Sequence, residues 1–254
     1  MTLLHSIAAS IVLLGVSATA MAQPGVVYAS RDKVDGALAK GGPIFDAPQA
    51  RVTGVHRDKA GPLDTQKGTT IIFVTDGGAM FVAGTNTQRL TKGDVLVVPA
   101  GTTQTLTSVA PSISYLQIVV PVIAKDAKAE IVYVDHDKVA ATMKKAAPLA
   151  DAPNLRVSGG FRPFASLDKS PVAEVHDNEA DLFYVVDGRA TQVLGGRVID
   201  GKSTGPGQIR GPKTEGGQTY QLGEGDVMWV PKGTAHWFPE IPEALGYLLV
   251  KVFY

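Results

Sequence analysis

Two short stretches of this chain carry side chains that could bind a metal ion. In the first, Glu174 and His176 lie two residues apart, and Asp181 follows after a gap of four residues. In the second, the turn Pro231-Lys232-Gly233 leads the chain to His236. Imidazole nitrogens and carboxylate oxygens are ligands that Fe, Mn, Ni, Cu and Zn accept. The two stretches together therefore predict one divalent metal site made from His176, Asp181, His236 and Glu174, with the metal's identity open.

The residue that completes this site has alternatives. Glu174 and His176 face the same side of a strand, because successive side chains alternate, and Asp181 lies across a turn on the neighbouring strand. If His176 is instead the first ligand, Asn178 takes the second position. Glu179 is also close enough in sequence to supply the carboxylate. Glu174, Asn178 and Glu179 are all kept as candidates.

The second stretch matches a motif of the cupin family. That motif consists of a glycine, five residues, Pro-x-Gly, two residues and a histidine. It is complete here at Gly225, Pro231, Gly233 and His236. This stretch therefore resembles the part of a cupin barrel that delivers one histidine ligand.

The first stretch resembles the other cupin motif in altered form. Glu174 stands where the family has its first histidine, His176 matches the second, and Asp181 replaces the glutamate. Gly188 follows at the family spacing. The resemblance implies a β-barrel of the double-stranded β-helix, or jelly-roll, type that binds a divalent metal ion and a small-molecule ligand or substrate.

The same resemblance leaves the activity open. A cupin with such a site is either a metal-dependent enzyme of the dioxygenase, decarboxylase or isomerase type, or a binding or structural protein without turnover. Cupin barrels often pair through their sheets, so a homodimer is a further expectation. Whether the protein is an enzyme is not decided by the sequence.

An internal repeat predicts two barrels. Val27-Tyr28 recurs as Val132-Tyr133 at an offset of 105 residues, and Gly93-Asp94 recurs as Gly225-Asp226 at a larger offset, because the second copy has gained loop residues. Short apolar runs separated by Gly and Pro predict strands and tight turns. We therefore predict an all-β bicupin, with tandem barrels over residues 23–125 and 126–254. A short helix, near residues 32–40 and 137–146, precedes each barrel.

The first copy lacks the candidate ligands. The four equivalent positions hold neutral side chains, which bind transition metals poorly. These positions are Leu63, Thr65, Thr70 and Gln104, in the order of Glu174, His176, Asp181 and His236. The N-terminal barrel is therefore predicted to be a degenerate cupin that acts as a scaffold, and its His56 to be an ordinary surface or packing residue.

The second copy has a long insertion and several aromatic residues near its motifs. The insertion between Gly195 and Gly223 is predicted to be a hairpin or loop at the barrel mouth, either solvated or with Arg210 or Lys213 contacting an anion. A pocket wall is predicted from residues that flank the candidate ligands. They are Phe183, Met228, Trp229, Trp237 and Phe238.

Composition excludes some classes of function, and the first residues indicate a cellular location. The 254 residues carry a net charge of zero and no basic run, so nucleic-acid binding is not expected. The absence of cysteine excludes disulfides and thiolate chemistry. The apolar run Ile7 to Leu14 and the small residues Ala20-Met21-Ala22 are typical of a signal peptide over residues 1–22. The mature protein is expected in the periplasm or secreted, with no membrane segment, and a retained N-terminal anchor is the alternative.

Overall fold

The computed structural model describes residues 25–123 and 129–254. The predicted signal peptide and part of the segment that joins the two copies lie outside the described residues. Among those described, no helix is long and apolar enough to span a bilayer.

Strands dominate both copies. The first runs through β1 (Val27–Ala29), α1 (Arg31–Lys40), β2 (Gly42–Ala47), β3 (Ala50–Arg57), β4 (Gly61–Leu63), β5 (Gly68–Ala83), β6 (Asn86–Thr91), β7 (Val95–Val98), β8 (Gln104–Thr107) and β9 (Ile113–Pro121). The second runs through β10 (Val132–Val134), α2 (His136–Met143), β11 (Pro148–Ala152), β12 (Leu155–Arg162), a 3-10 turn (Leu167–Lys169), β13 (Ala173–His176), β14 (Glu179–Leu194), β15 (Arg197–Ile199), β16 (Lys202–Gly205), β17 (Gln208–Gly211), β18 (Lys213–Glu215), β19 (Gln218–Gly223), β20 (Val227–Val230), β21 (His236–Glu240) and β22 (Leu245–Phe253). The predicted all-β class, with tandem barrels and a short helix before each, is confirmed.

Helix α2 ends earlier than the sequence suggested. Its last residue is Met143, and Lys144 caps it. Ala146 has a φ of 48°, a left-handed conformation that a helix cannot continue through. The chain therefore turns three residues before the predicted end.

One long strand in each copy curls the sheet into a barrel. The first part of β14 pairs with β20 and β22, and its second part pairs with β19 and β21. The strand bends at a bulge between Val185 and Asp187, next to Gly188. Gly188 has a φ of 80°, and a Cβ there would overlap the carbonyl oxygen of Ala244. The motif glycine is therefore required by the bend that closes the barrel.

Strand register confirms the alignment of the two copies. Glu174 lies opposite His236 on β13 and β21, and Leu63 lies opposite Gln104 on β4 and β8. The residue pairs that the repeat matched by sequence are thus cross-strand neighbours in both barrels.

The two copies exchange their opening strands. Strand β1 pairs with β20 of the second copy, and β10 pairs with β7 of the first. The carboxylate of Asp226 accepts hydrogen bonds from the Tyr28 hydroxyl at 3.1 Å and from the backbone N–H of Arg31, the first residue of α1, at 2.7 Å. Each barrel therefore includes a strand from the other side of the proposed boundary at residues 125 and 126.

Asp94 makes the same contacts in the other copy. It accepts from the Tyr133 hydroxyl at 3.1 Å and from the backbone N–H of His136, the first residue of α2, at 2.7 Å. Burial, followed by the charge of the neighbouring aspartate, raises the pKa of each of these tyrosines to about 12, so both remain hydrogen-bond donors. The two Gly-Asp pairs of the repeat are thus anchors for the exchanged segments.

Three apolar clusters form the core. One fills each barrel, and the third lies between the barrels, where Phe73 contacts Tyr184 at 5.4 Å and Phe45 contacts Trp229 at 6.2 Å between ring centroids. The prediction that Trp229 lines a pocket is wrong. Side chains alternate along β20, so Met228 enters the barrel interior and Trp229 points to the interface between barrels.

Candidate metal centre

The four candidate ligands meet inside the C-terminal barrel. Glu174 and His236 lie directly opposite each other on β13 and β21, and His176 is two residues further along β13. Asp181 reaches the same space from β14. His176, Asp181 and His236 are all buried, with 7%, 3% and 3% of their surfaces exposed. Distant parts of the chain are thus brought to one point within the barrel.

Their ligand atoms are close enough to share one ion. Asp181 Oδ2 lies 3.6 Å from His176 Nε2 and 3.7 Å from His236 Nε2. Glu174 Oε2 lies 3.8 Å from His236 Nε2. Two atoms that are each about 2.1 Å from one ion can be up to about 4.2 Å apart. These distances fit a divalent metal ion. The compact groups among the described residues are Glu174 with His176 and His236, and His176 with Glu179 and Asp181, so Glu174 and Asp181 do not belong to one group.

Cationic side chains contact both carboxylates, and Asp181 leaves one oxygen facing the imidazoles. Asp181 Oδ1 accepts from Lys251 Nζ at 3.0 Å, while Oδ2 faces both histidines. Glu174 Oε1 accepts from Arg210 Nη2 at 2.8 Å, while Oε2 lies 3.8 Å from His236 Nε2 and 3.8 Å from Arg162 Nη2. Such outer contacts orient metal-binding carboxylates in known sites.

The imidazoles are oriented in the same way. His176 Nδ1 contacts the side-chain oxygen of Gln208 and lies 3.3 Å from Glu179 Oε1. His236 Nδ1 lies 3.3 Å from the carbonyl oxygen of Thr234. A proton on each Nδ1 satisfies these acceptors and leaves the Nε2 lone pair facing the centre.

Burial lowers the pKa of His236, and the nearby His176 lowers it further. The charges of Asp181 and Glu174 oppose this shift without overcoming it. His236 is therefore held in the neutral form that a metal ligand must have.

The alternative ligands occupy other places. Glu179 also forms a compact group with His176 and Asp181. Its carboxylate approaches Nδ1 of His176, however, on the ring edge away from Nε2, and it accepts from Lys251 at 2.6 Å. The side-chain oxygen of Asn178 accepts from Gln208 at 3.4 Å. The geometry favours Glu174 over both, and the full ligand set stays a prediction.

The insertion forms part of the site. Strand β17 pairs with β13 and places Gln208 opposite His176, and Arg210 opposite Glu174. Arg210 therefore forms an ion pair with Glu174 of the protein itself, whereas Lys213 is exposed. Contact of either residue with an anionic ligand stays a prediction. The composition of the insertion gave no sign of this register.

Three polar residues of the site were missed from the sequence. Gln208 lay in a segment without periodicity, and Arg162 and Lys251 lie near the ends of strands β12 and β22. Lys251 does carry a signal, because it interrupts an otherwise apolar final strand. Arg162 carries no comparable signal.

A cavity of 410 Å³ opens onto the candidate ligands. Arg162 lines it, stacked over the Phe238 ring at 4.7 Å, and its Nε is buried without a hydrogen-bond partner. Of the predicted wall, Phe183 lines the cavity, and Met228 and Phe238 lie in the barrel core. Trp237 is buried and donates its ring N–H to the carbonyl oxygen of Pro171.

The first barrel has no comparable arrangement among the residues described. The compact groups of histidine and carboxylate side chains found in the described ranges both lie in the second barrel. At the position equivalent to His236, Gln104 is buried and its side-chain oxygen lacks a partner. His56 hydrogen-bonds Ser114 at 2.9 Å, as expected of a packing residue.

Comparison with known proteins supports the fold. No family model matches the sequence, and no curated protein matches it. Salicylate 1,2-dioxygenase from Pseudoaminobacter salicylatoxidans has a TM-score of 0.65 at 10% identity, covering 89% of this chain and 84% of that one. Protein Ylba from E. coli has a TM-score of 0.60 at 14% identity, covering 93% and 94%. A cupin 2 conserved barrel domain protein from Leptotrichia buccalis has a TM-score of 0.54 at 14% identity, covering 84% and 88%. The chain thus has the cupin fold that its motifs predicted.

Proposed function

We propose that the C-terminal barrel holds one divalent metal ion through His176, Asp181, His236 and Glu174. The observation that carries this proposal is the position of Asp181 Oδ2, which lies 3.6 Å from His176 Nε2 and 3.7 Å from His236 Nε2 in the buried part of the barrel. The metal is Fe, Mn, Ni, Cu or Zn, because all accept such N/O donors.

We further propose a metal-dependent enzyme of the dioxygenase, decarboxylase or isomerase type. The bound ion would supply Lewis-acid or redox chemistry to a small molecule in the cavity. The similarity in fold to a salicylate 1,2-dioxygenase, one structure of which is described as an adduct with gentisate, supports a small-molecule substrate.

The charges in the cavity favour a small carboxylate as that substrate. Three cationic side chains, Arg162, Arg210 and Lys251, face three carboxylates, so a divalent ion adds uncompensated positive charge. The buried Nε of Arg162 is a hydrogen-bond donor with no partner, and a guanidinium suits a carboxylate. Arg162 would hold and orient the substrate beside the ion.

The proposed setting is outside the cytoplasm. Residues 1–22 have the pattern of a signal peptide, so we expect this bicupin to be periplasmic or secreted, and to form a homodimer as other cupin barrels do. Sequencing the N-terminus of the purified protein, and its mass in solution, would test both points.

The test of the metal centre is elemental analysis of protein purified without a metal-affinity resin. We expect about one equivalent of metal in the parent protein and none in His176→Ala or His236→Ala, both still folded. Gln104→Ala is the matched control in the first barrel and should leave the metal content unchanged. Metal content unaffected by either histidine substitution would show that the ligand assignment is wrong.

A second candidate function is a binding cupin without turnover. It is favoured by the fact that each cavity carboxylate already has a cationic partner in this structure. A parent protein that stays free of metal after reconstitution would support this function over the first.

A further inference from the structure

Lys251 lies at the centre of the charged network. It is the cross-strand neighbour of Asp181, from β22 to β14, so both side chains enter the barrel. Its Nζ is 3.0 Å from Asp181 Oδ1 and 2.6 Å from Glu179 Oε1. The Lys251 side chain is 23% exposed, while those of Asp181 and Glu179 are 4% and 11% exposed. One ammonium group thus serves two buried carboxylates.

The internal repeat provides a comparison for this arrangement. In the first barrel Thr70 takes the place of Asp181, and its cross-strand neighbour is Val119, in the place of Lys251. Gly68, the first residue of β5, takes the place of Glu179. The barrel that lacks the carboxylates therefore also lacks the lysine. This indicates that the fold does not require Lys251 and that its role is to neutralise the two carboxylates.

Lys251 offsets the negative charge of its two buried partners. Its ammonium group donates a hydrogen bond to the carboxylate of Glu179 and another to that of Asp181. Buried carboxylates without a counter-ion destabilise a protein strongly. In the metal-free barrel Lys251 removes that cost.

The same ammonium group opposes metal binding. It holds one oxygen of Asp181, and the other oxygen of that carboxylate faces the two imidazoles. A metal ion at the imidazoles and the Lys251 ammonium would share one carboxylate, and like charges at such a distance repel.

We propose that Lys251 substitutes for a metal cation: it neutralises Asp181 and Glu179 in the metal-free protein and lowers the affinity of the site for a divalent ion. The inference rests on the proposed metal centre. It implies that the barrel folds before it acquires its metal, and that binding is weaker than the donor set alone would give.

The test uses Lys251→Met, which keeps the length of the side chain and removes its charge. Metal-free K251M should unfold roughly 5–10 °C below the parent, because a buried ion pair is broken. Its affinity for Zn²⁺, measured in competition with a coloured chelator, should rise at least tenfold. Lys213→Met is the matched control, since it removes an exposed lysine of the same barrel and should change neither quantity.

A double-mutant cycle separates the charge of Lys251 from its packing. Glu179→Gln removes one of the two carboxylates that Lys251 neutralises, so K251M should lower the unfolding temperature less in the E179Q background than in the parent. An equal loss in both backgrounds would reduce Lys251 to a packing residue and overturn the inference.

The affinity measurement distinguishes this inference from the metal centre itself. Zn²⁺ affinity that is unchanged or weaker in K251M would overturn the proposed opposition to metal binding. If neither the parent nor the variant binds Zn²⁺, the proposed metal centre is wrong. The proposed effect of Lys251 on its affinity is then wrong as well. The unfolding temperatures of the metal-free proteins would still decide whether Lys251 is the counter-ion.

Discussion

Single residues show why the two motifs have their form. Gly188 and Gly233 both have positive φ, at 80° and 75°, but their surroundings differ. A Cβ at Gly188 would overlap the backbone of Ala244, whereas a Cβ at Gly233 would have open space around it. One motif glycine is thus needed for its close contact, and the other only for its backbone conformation.

This difference predicts unequal costs for the same substitution. Gly233→Ala should lower the free energy of unfolding by about 1–2 kcal/mol, the cost of a left-handed alanine. Gly188→Ala should cost more than about 3 kcal/mol, because the strand must also move away from Ala244. Denaturant unfolding of the two variants measures both costs, and equal values would contradict the role given to the bend.

At the scale of residues, positions in the candidate site could be predicted from sequence where the residue type and its spacing in a motif both pointed to a ligand. The motif positions led to His176, Asp181 and His236, which do meet in one place. Lys251, Gln208 and Arg162 were missed because their role depends on neighbours that are distant in the chain. A lysine on a strand is ordinary until the carboxylates opposite it are known.

At the scale of elements, the exchanged segments depend on one carboxylate each. Asp226 binds the first turn of α1 and the hydroxyl of Tyr28, and Asp94 does the same for α2 and Tyr133. Because the negative charge also lies at a helix N-terminus, the contact is favourable in two ways.

Loss of either charge should therefore loosen a segment of the opposite half. We expect Asp226→Ala to cost about 1–3 kcal/mol of stability and to increase hydrogen exchange in residues 27–40. Asp94→Ala should do so in residues 132–143. Hydrogen exchange followed by mass spectrometry maps the effect, and loosening in the mutated half alone would argue against the anchoring role.

The insertion shows the limit of prediction for elements. A hairpin or loop at the barrel mouth was expected, and the segment does form short strands, β15 to β19. That β17 would pair with β13 beside the ligands could not be predicted, because a polar segment without alternation does not specify its partner or register.

At the scale of the whole molecule, the repeat revealed two copies but not their exchange of strands. The matching Tyr-containing strands and Gly-Asp pairs were visible in the sequence. Packing between the barrels decides which sheet each opening strand joins. A large apolar cluster there contains residues of both halves. That information is spread over many residues.

The exchange predicts that the halves are not independent. Residues 126–254 alone would lack β1 and would expose β20 and the apolar face around Trp229. We expect this fragment to aggregate when expressed alone, and to become soluble when co-expressed with residues 23–125. A soluble, cooperatively unfolding fragment would show that the exchanged strand is dispensable.

The pairing of β1 with β20 also sets an order of events during synthesis. The ribosome makes Val27 early and Val230 close to the end, yet these two regions complete one sheet. The C-terminal barrel cannot close fully until its last strands are made, whereas β7 waits only for β10, near the middle of the chain. The C-terminal barrel therefore stays incompletely folded until late in synthesis, a state that would suit the export that we propose.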